Sequence, residues 1–266
     1  MKNIISFSGG KDSTALILWA KENLTEFDTV FCDTKWEHEL TYQYITYINN
    51  TLLDGKLITV SSEKYDGFVD LSIKKKRVPS TMARFCTEEL KLKPMQKFIK
   101  QFEDVHIYLG IRRDESHARS KLSMDFYDSE YYKCWIHRPI IEWTAMDCFN
   151  LMKNHHIEPN PLYKLGMKRV GCMPCIMSNK PEMKNIFNQF PEVEEKLLNL
   201  EQHGHSFFPP SYIPDRFCSN TVVNKKGETV VYPSISDVKS YLTSEKTENL
   251  FEEEGESCMS YYSICE

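Results

Sequence analysis

The feature that most constrains this chain is a glycine turn at residues 8–13, Ser-Gly-Gly-Lys-Asp-Ser, which directly follows a short apolar, β-prone segment at residues 2–7. Apolar residues recur after the turn with helical spacing, so the segment predicts a strand, a tight turn and a helix. Glycines let backbone N–H groups turn inward toward an anion, and the following helix adds its positive N-terminal end. The sequence therefore predicts a phosphate-binding loop.

The side chains of this loop extend the prediction. The hydroxyl groups and the lysine offer further donors to phosphate oxygens, whereas a plain glycine turn with a serine cap is the structural alternative. The loop is not a Walker A motif, because the pattern G-x-x-x-x-G-K-[ST] is absent. We expect Lys11 and Asp12 to be catalytic. The predicted phosphate-binding residues are Ser8, Gly9, Gly10 and Ser13.

Strands and helices alternate after the loop. Further strands are predicted near residues 29–32, 56–60 and 105–109, and helices near residues 39–49 and 88–102. This alternation predicts an α/β fold, a doubly wound and mostly parallel sheet with helices on both faces. The βα loops of such a sheet gather at its carboxyl edge, where ligands bind.

The pattern changes after about residue 158, where prolines and cysteines become more frequent. Helices near residues 182–190 and 192–201 replace the alternation of strands and helices. We therefore expect residues 1–158 to form the α/β domain with the phosphate loop. Residues 159–266 are expected to form a cysteine-containing, mainly helical or irregular appendage that closes over the sheet edge.

Composition limits the classes of protein that fit. The 266 residues are 41% hydrophobic, no apolar run is long enough to span a membrane, and no signal peptide is visible, which predicts a soluble, cytoplasmic protein without a membrane partner. The net charge of −5 argues against a surface coated with basic residues for nucleic acid. Residues 74–77, Lys-Lys-Lys-Arg, form either a local basic groove or a solvated loop.

Nine cysteines are many for a chain of this kind, and their odd number argues against a disulfide scaffold. Cys172 and Cys175 form a C-x-x-C pair, and Lys168 and Arg169 just before it favour thiolates. Two thiolates at this spacing can hold a metal ion or two corners of an iron–sulfur cluster. A redox pair or two buried structural thiols would have the same spacing. The cysteines in apolar surroundings, which we expect in the core, are Cys32, Cys134 and Cys148.

The phosphate loop and four later segments together resemble the PP-loop ATP pyrophosphatases, the Rossmann-like adenine nucleotide alpha-hydrolases, and among them the phosphoadenylyl-sulfate (PAPS) reductase family. The resemblance covers about residues 3–180. The four segments are Asp33-Thr34 with Glu37 and Thr41, residues 84–91 with Pro94, residues 110–116 with Arg119, and Arg138-Pro139-Ile140 with Trp143 and Asp147 followed by Asn160-Pro161-Leu162-Tyr163.

The resemblance implies roles for the residues in these segments. Asp33 and Thr34 would hold the adenosine, and a carboxylate at a strand end can accept hydrogen bonds from ribose or adenine. Arginines can pair with phosphate or sulfate through two hydrogen bonds. A strand-end turn for Asp33 and ordinary surface charge for the arginines are the alternatives. The loop after the fourth strand would supply Arg112 to catalysis, and Gly110, Arg113 and Arg119 to nucleotide binding.

The resemblance also implies a [4Fe–4S] cluster with Cys86, Cys172 and Cys175 as three ligands. The fourth ligand is open, and Cys218 is our first choice ahead of two cysteines near the C-terminus, Cys258 and Cys265. A quartet made of the C-x-x-C pair and those two cysteines is the alternative. Mg²⁺ is a further candidate cofactor.

Two chemistries fit the resemblance. In one, ATP is hydrolysed to AMP and pyrophosphate to activate an acceptor for sulfur transfer. In the other, a thiol attacks PAPS or adenylyl sulfate and sulfite is released. The reductases end in a Glu-Cys-Gly-x-His segment, which the closing Ser263-Ile264-Cys265-Glu266 does not match, so we favour the first chemistry. A nucleotide sensor or partner subunit without catalysis is a third alternative.

The partners follow from these chemistries. We expect an adenine nucleotide (ATP, or else PAPS or adenylyl sulfate) and an acceptor that is a tRNA, a DNA or a small molecule. A sulfur donor or a thiol reductant protein would complete the reaction. An oligomer is compatible with the sequence.

Overall fold

The structure is a computed structural model that describes residues 1–203, 206–223 and 226–244. The described residues form two compact units, of which the first comprises residues 1–68 and 85–173. The second comprises residues 69–84 and the described residues from 174 onward. The division thus falls within the C-x-x-C pair, and the domain boundary expected near residue 158 stays a prediction.

The first unit is built on a sheet of six strands among the described residues. The strands are β1 Lys2–Phe7, β2 Asp28–Asp33, β3 Ile58–Ser61, β4 Val105–Tyr108, β5 Asp125–Asp128 and β6 Cys134–His137. Their order is β3-β2-β1-β4-β6-β5, and each neighbouring pair is parallel except β5 with β6. The prediction of a mostly parallel α/β sheet is confirmed, whereas a cysteine-rich C-terminal appendage is not confirmed.

Helices cover both faces of this sheet. One buried core lies between the sheet and the helices at residues 11–23, 39–52 and 145–154, and another lies between the sheet and the helix at residues 93–99. The π-helical turn Glu88–Leu92 connects two α-helical segments, so the helix predicted near residues 88–102 begins three residues earlier than expected. The helices are α1 Lys11–Asn23, α2 Glu39–Leu52, α3 Gly67–Lys75 (whose first two residues belong to the first unit), α4 Phe85–Thr87, α5 Lys93–Ile99, α6 His117–Ser120 and α7 Ala145–Asn154.

The order of the strands defines where a ligand can bind. From β1, the chain builds β2 and β3 on one side and then crosses to β4 on the other side. The carboxyl ends of β1 and β4 therefore flank the point at which the order of the strands in the sheet reverses. Ligands of open α/β sheets bind in the crevice at this point. The phosphate loop follows β1, and residues 110–116 follow β4.

The second unit is mainly helical. Its helices α8 Lys180–Gln189, α9 Pro191–Gln202 and α10 Ile235–Thr243 pack through buried apolar side chains. The first two match the helices predicted near residues 182–190 and 192–201 within two residues. The antiparallel hairpin of β7 Asn220–Val223 and β8 Thr229–Tyr232 was not predicted. Within the described part of the chain, every helix is too short or too polar to cross a membrane.

Candidate active site

The glycine turn after β1 has the backbone conformation of an anion-binding loop. Gly9 has a φ of +81°, and a Cβ atom there would lie 2.9 Å from Cγ2 of Thr41, so residue 9 must be glycine. Gly10 is extended and caps the N-terminus of α1. Gly9 and Gly10 are buried, yet their N–H groups donate no hydrogen bond to any described residue. Buried N–H groups without an acceptor are rare in proteins, so these two mark a ligand site.

Two serines shape the loop from within. The Oγ of Ser13 accepts a hydrogen bond from the backbone N–H of Ser8 at 3.2 Å and lies 3.1 Å from the Oγ of Ser8. The same hydroxyl donates to the carbonyl oxygen of Gly10 at 3.1 Å. These contacts close the loop across its base, so both predicted serines lie in the loop.

The structure brings the three predicted catalytic residues together. The carboxylate of Asp12 is fully buried, and its Oδ2 accepts a hydrogen bond from Nζ of Lys11 at 2.9 Å. Its Oδ1 accepts hydrogen bonds from the guanidinium Nε of Arg112 and, at 3.4 Å, from Sγ of Cys148. One buried carboxylate therefore holds a cation from the loop after β1 beside a cation from the loop after β4.

Arg112 stays charged in this environment. Burial lowers the pKa of its guanidinium, but the carboxylates of Asp12, Glu115 and Asp114 outweigh burial and raise the pKa above its ordinary value. The guanidinium also forms an ion pair with Asp114. A permanently charged guanidinium at this position is suited to an anionic ligand.

Gly110 determines how closely the two loops approach. A Cβ atom at this residue would lie 2.9 Å from the carbonyl carbon of Asp12 and 3.0 Å from the backbone nitrogen of Ser13. The end of β4 therefore packs directly on the first turn of α1. This contact places Arg112, two residues later, beside the phosphate loop.

The other two predicted arginines have different surroundings. Arg113 donates hydrogen bonds to the carbonyl oxygen of Leu122 at 3.0 and 3.2 Å and pairs with Glu142. Arg119 is buried and pairs with Glu115, whose carboxylate also accepts a hydrogen bond from the backbone N–H of Arg112 at 2.9 Å. These contacts cross-link residues 112–122, so both arginines stabilise the loop that carries Arg112.

Residues 160–163 bind the phosphate loop directly, a role that sequence reasoning missed. Nδ2 of the fully buried Asn160 donates a hydrogen bond to the carbonyl oxygen of Gly9 at 3.1 Å. The backbone N–H of Lys11 donates to the hydroxyl of Tyr163 at 2.9 Å. The sequence did contain a signal, because the Asn-Pro-Leu-Tyr segment is one of those that resemble the family, but no role was assigned to its residues.

The predicted adenosine site lies on the neighbouring strand. Asp33 ends β2 and is half-buried, and its Oδ1 accepts hydrogen bonds from the backbone N–H of Lys35 and the hydroxyl of Tyr42, both at 2.8 Å. The next residue, Thr34, is buried and donates to Oε1 of Glu37 at 2.7 Å. Asp33 thus lies at the same carboxyl edge as the phosphate loop, one strand away.

Glu37 was named in the sequence as part of the segment after β2, but its contact with Cys172 was not predicted. Glu37 and Cys172 pair in an antiparallel bridge, and Sγ of Cys172 lies 3.6 Å from Oε1 of Glu37 and 3.5 Å from Oγ1 of Thr34. Burial, followed by the nearby carboxylates of Glu37 and Asp33, raises the pKa of the Tyr42 phenol above its ordinary value. Through its contacts with Thr34 and Glu37, the first cysteine of the C-x-x-C pair lies next to the segment that follows β2.

The predicted cluster ligands are divided between the two units. Cys86 and Cys172 belong to the first unit, and Cys175 and Cys218 belong to the second. Among the residues that the structure describes, no group of three or more Cys, His, Asp or Glu side chains could hold a metal ion. Cys258 and Cys265 lie outside the described residues. The [4Fe–4S] cluster therefore remains a prediction.

The remaining cysteines behave as core residues. Cys134 and Cys148 are buried as predicted, and Cys32 is half-buried. Burial raises the pKa of the Cys32 and Cys134 thiols to about 12. None of the seven cysteines within the described ranges forms a disulfide.

Comparisons with known proteins identify similar sequences. A family model described as the phosphoadenosine phosphosulfate reductase domain matches residues 2–178. An uncharacterized 37.8 kDa protein of Escherichia phage 186 is 34% identical over 80% of this chain and 81% of its own length. The phosphoadenosine 5'-phosphosulfate reductase of Xylella fastidiosa (strain M12) is 27% identical over the matched part, which covers 38% of this chain and 41% of the length of that reductase.

A solved structure supports the fold. The phosphoadenylyl-sulfate (PAPS) reductase from Candida auris, in its phosphate complex, superposes with a TM-score of 0.52 over 65% of this chain and 81% of that chain. The sequence identity is 15%, so the likeness concerns the fold. The doubly wound sheet described above is therefore shared with a PAPS reductase.

Proposed function

The chain belongs to the phosphoadenosine phosphosulfate reductase domain family, and we propose that it is an enzyme that cleaves ATP to AMP and pyrophosphate in order to activate an acceptor for sulfur transfer. The observation that carries the proposal is the pair of buried, unbonded N–H groups of Gly9 and Gly10 beside two cations, Lys11 and Arg112. These groups lie where ligands bind in a doubly wound sheet.

The charges at the loop suit a pyrophosphate leaving group. An oxygen of the acceptor attacks the α-phosphorus, the bond from that phosphorus to the bridging oxygen breaks, and pyrophosphate leaves with the electron pair. Preorganised N–H groups and cations stabilise charge that develops on the leaving group. Sulfur from the donor then displaces AMP from the adenylylated acceptor.

Asp12 positions the two cations that would bind pyrophosphate. Its two carboxylate oxygens hold Lys11 and Arg112 at separate positions. Two cations in this arrangement suit the linked phosphates of the pyrophosphate that leaves the α-phosphorus. Asp33, at the neighbouring strand end, would accept hydrogen bonds from the ribose or the adenine.

A second candidate is the reduction of PAPS or adenylyl sulfate with release of sulfite. The similarity to the Xylella fastidiosa reductase favours it. Mg²⁺ and a [4Fe–4S] cluster remain predicted cofactors.

Product analysis separates the candidates. The protein is incubated with MgATP and assayed for AMP and pyrophosphate, and then with PAPS and reduced thioredoxin and assayed for sulfite. Lys11→Ala should abolish the ATP reaction, whereas Lys164→Ala, at an exposed lysine paired with Glu158, should retain it. Sulfite without AMP would favour the reductase, and tight nucleotide binding with neither product would mean a nucleotide sensor.

A further inference from the structure

The anion-binding ability of the loop depends on the orientation of one peptide unit. The carbonyl oxygen of Gly9 and the N–H of Gly10 belong to the same planar trans peptide, so they point in opposite directions. Both flanking residues are glycines, which adopt positive and negative φ values about equally well. Nothing intrinsic to the Gly9–Gly10 pair therefore prevents the peptide from turning over and presenting its oxygen to the anion.

Asn160 supplies the missing constraint. Its Nδ2 donates a hydrogen bond to the carbonyl oxygen of Gly9 at 3.1 Å, and the side chain is fully buried. With the oxygen held on the side of Asn160, the N–H of Gly10 must point to the opposite side. A turned peptide would lose this hydrogen bond and leave a buried amide group of Asn160 unsatisfied, which is costly.

The orientation of the Asn160 amide is itself determined by the structure. The backbone N–H of Leu162 donates to Oδ1 of Asn160 at 3.0 Å, so the oxygen end of the side chain must face Leu162. The NH₂ end then faces Gly9, where it meets an acceptor. The side chain is thus held at both ends, because exchanging its oxygen and nitrogen would pair donor with donor and acceptor with acceptor.

Tyr163 anchors the same segment to the other end of the turn. Its hydroxyl accepts a hydrogen bond from the backbone N–H of Lys11 at 2.9 Å, and its ring centroid lies 5.5 Å from Nζ of Lys11. The segment therefore contacts the loop on both sides of Gly10. Its position relative to the loop is fixed at two points, so Asn160 meets the Gly9 carbonyl in a defined geometry.

We propose that Asn160 is a positioning residue that holds the Gly9–Gly10 peptide in the orientation that aims the Gly10 N–H at a phosphate group. The proposal deepens the proposed function and rests on it, because the phosphate belongs to the nucleotide bound there. Asn160 acts on the ligand through the peptide and not by touching it.

The test replaces the donor with an acceptor of the same shape. Asn160→Asp should weaken the binding of ATP and of inorganic pyrophosphate about tenfold to a hundredfold near pH 8.5, the range expected for losing a hydrogen bond to a charged group. Burial raises the pKa of an introduced carboxyl group, so at about pH 5.5 it should be protonated and donate to the carbonyl oxygen of Gly9 again. Part of the affinity, relative to wild type at the same pH, should then return.

Two further variants complete the design. Asn150→Asp introduces the same charge on the exposed face of α7 and should bind both ligands like wild type at either pH. Asn160→Ala removes the donor without adding charge, so its deficit should not depend on pH. It also serves as the working variant if Asn160→Asp does not fold, as judged by a cooperative thermal transition. Folded variants of Asn160 with wild-type affinity at both pH values would overturn the proposal.

A ligand-free measurement separates this inference from the proposed function. In ¹H–¹⁵N spectra without nucleotide, the Gly10 amide resonance of Asn160→Asp should shift between the two pH values and that of Asn150→Asp should not. If wild type binds neither ATP nor pyrophosphate, the proposed function fails, and the Gly10 resonance still decides the role of Asn160. An unchanged Gly10 resonance in both Asn160 variants would refute it.

Discussion

Replacing Gly110 with alanine tests how the site is assembled, because it adds a single methyl group where the two loops meet. The added Cβ would lie 2.9 Å from the carbonyl carbon of Asp12 and 3.0 Å from both the carbonyl oxygen of Asp12 and the nitrogen of Ser13. All three neighbours are backbone atoms, so no side-chain rotation can relieve the clash. Either β4 or the first turn of α1 must move.

The size of the effect follows from this geometry. Overpacking a well-packed region typically costs about 1–3 kcal/mol. A loss of 1 kcal/mol lowers the melting temperature of a domain of 150–250 residues by roughly 2–4 °C, so Gly110→Ala should melt about 2–12 °C below wild type. Since Arg112 and Asp12 lie on the displaced segments, affinity for ATP should also fall, by about tenfold if one charged hydrogen bond is lost.

A matched glycine variant separates stability from binding. Gly55 has a φ of +76° and no atom within 4 Å of its added Cβ, so Gly55→Ala carries backbone strain without a clash. It should lower the melting temperature and leave the affinity for ATP unchanged. Calorimetric melting and ATP titration of both variants supply the comparison. If Gly110→Ala bound ATP as tightly as wild type, the close packing of β4 on α1 would have no part in forming the site.

Four further predictions concern single side chains. Gly10→Val should abolish ATP binding in a folded protein, since a branched side chain would crowd the loop, and titration calorimetry with a thermal melt checks both points. Arg112→Lys should reduce turnover about tenfold or more because the planar guanidinium is lost, and wild-type turnover would mean that the guanidinium of Arg112 has no part in catalysis. Cys134, whose buried thiol has a pKa raised to about 12, should resist iodoacetamide at about pH 8 until the protein unfolds, as peptide mass spectrometry would show. Protein purified without oxygen should contain iron, and Cys172→Ser and Cys175→Ser should each lose it, whereas an iron-free wild type would disprove the cluster.

The sequence predicted those parts of the fold that depend on local pattern. The strand, glycine turn and helix at residues 2–23 were predicted because alternating apolar segments and glycines are local signals. Strands β5 and β6 were not predicted, since each spans four residues and β5 exposes every second one. Such short edge strands carry little periodicity, and their pairing is decided by neighbours far along the chain.

The candidate site shows the same limit. Lys11, Asp12 and Arg112 were recognised from their motifs, but their shared ion pairing depends on how β1 and β4 lie side by side. Asn160 was read as part of a proline-containing segment without a role. Its function depends on a hydrogen bond to Gly9, and no periodicity or spacing encodes such a long-range contact.

The hydrogen bond between Asn160 and Gly9 also has a consequence for synthesis, because 151 positions separate the two residues. Translation at about 5–20 residues per second makes the glycine turn roughly 8–30 seconds before the asparagine that holds it. During that interval the nascent chain carries a phosphate loop whose central peptide has no partner for its oxygen. If Asn160 orients the Gly9–Gly10 peptide as proposed, the loop is expected to reach its full affinity for nucleotide only after the segment around Asn160 has left the ribosome.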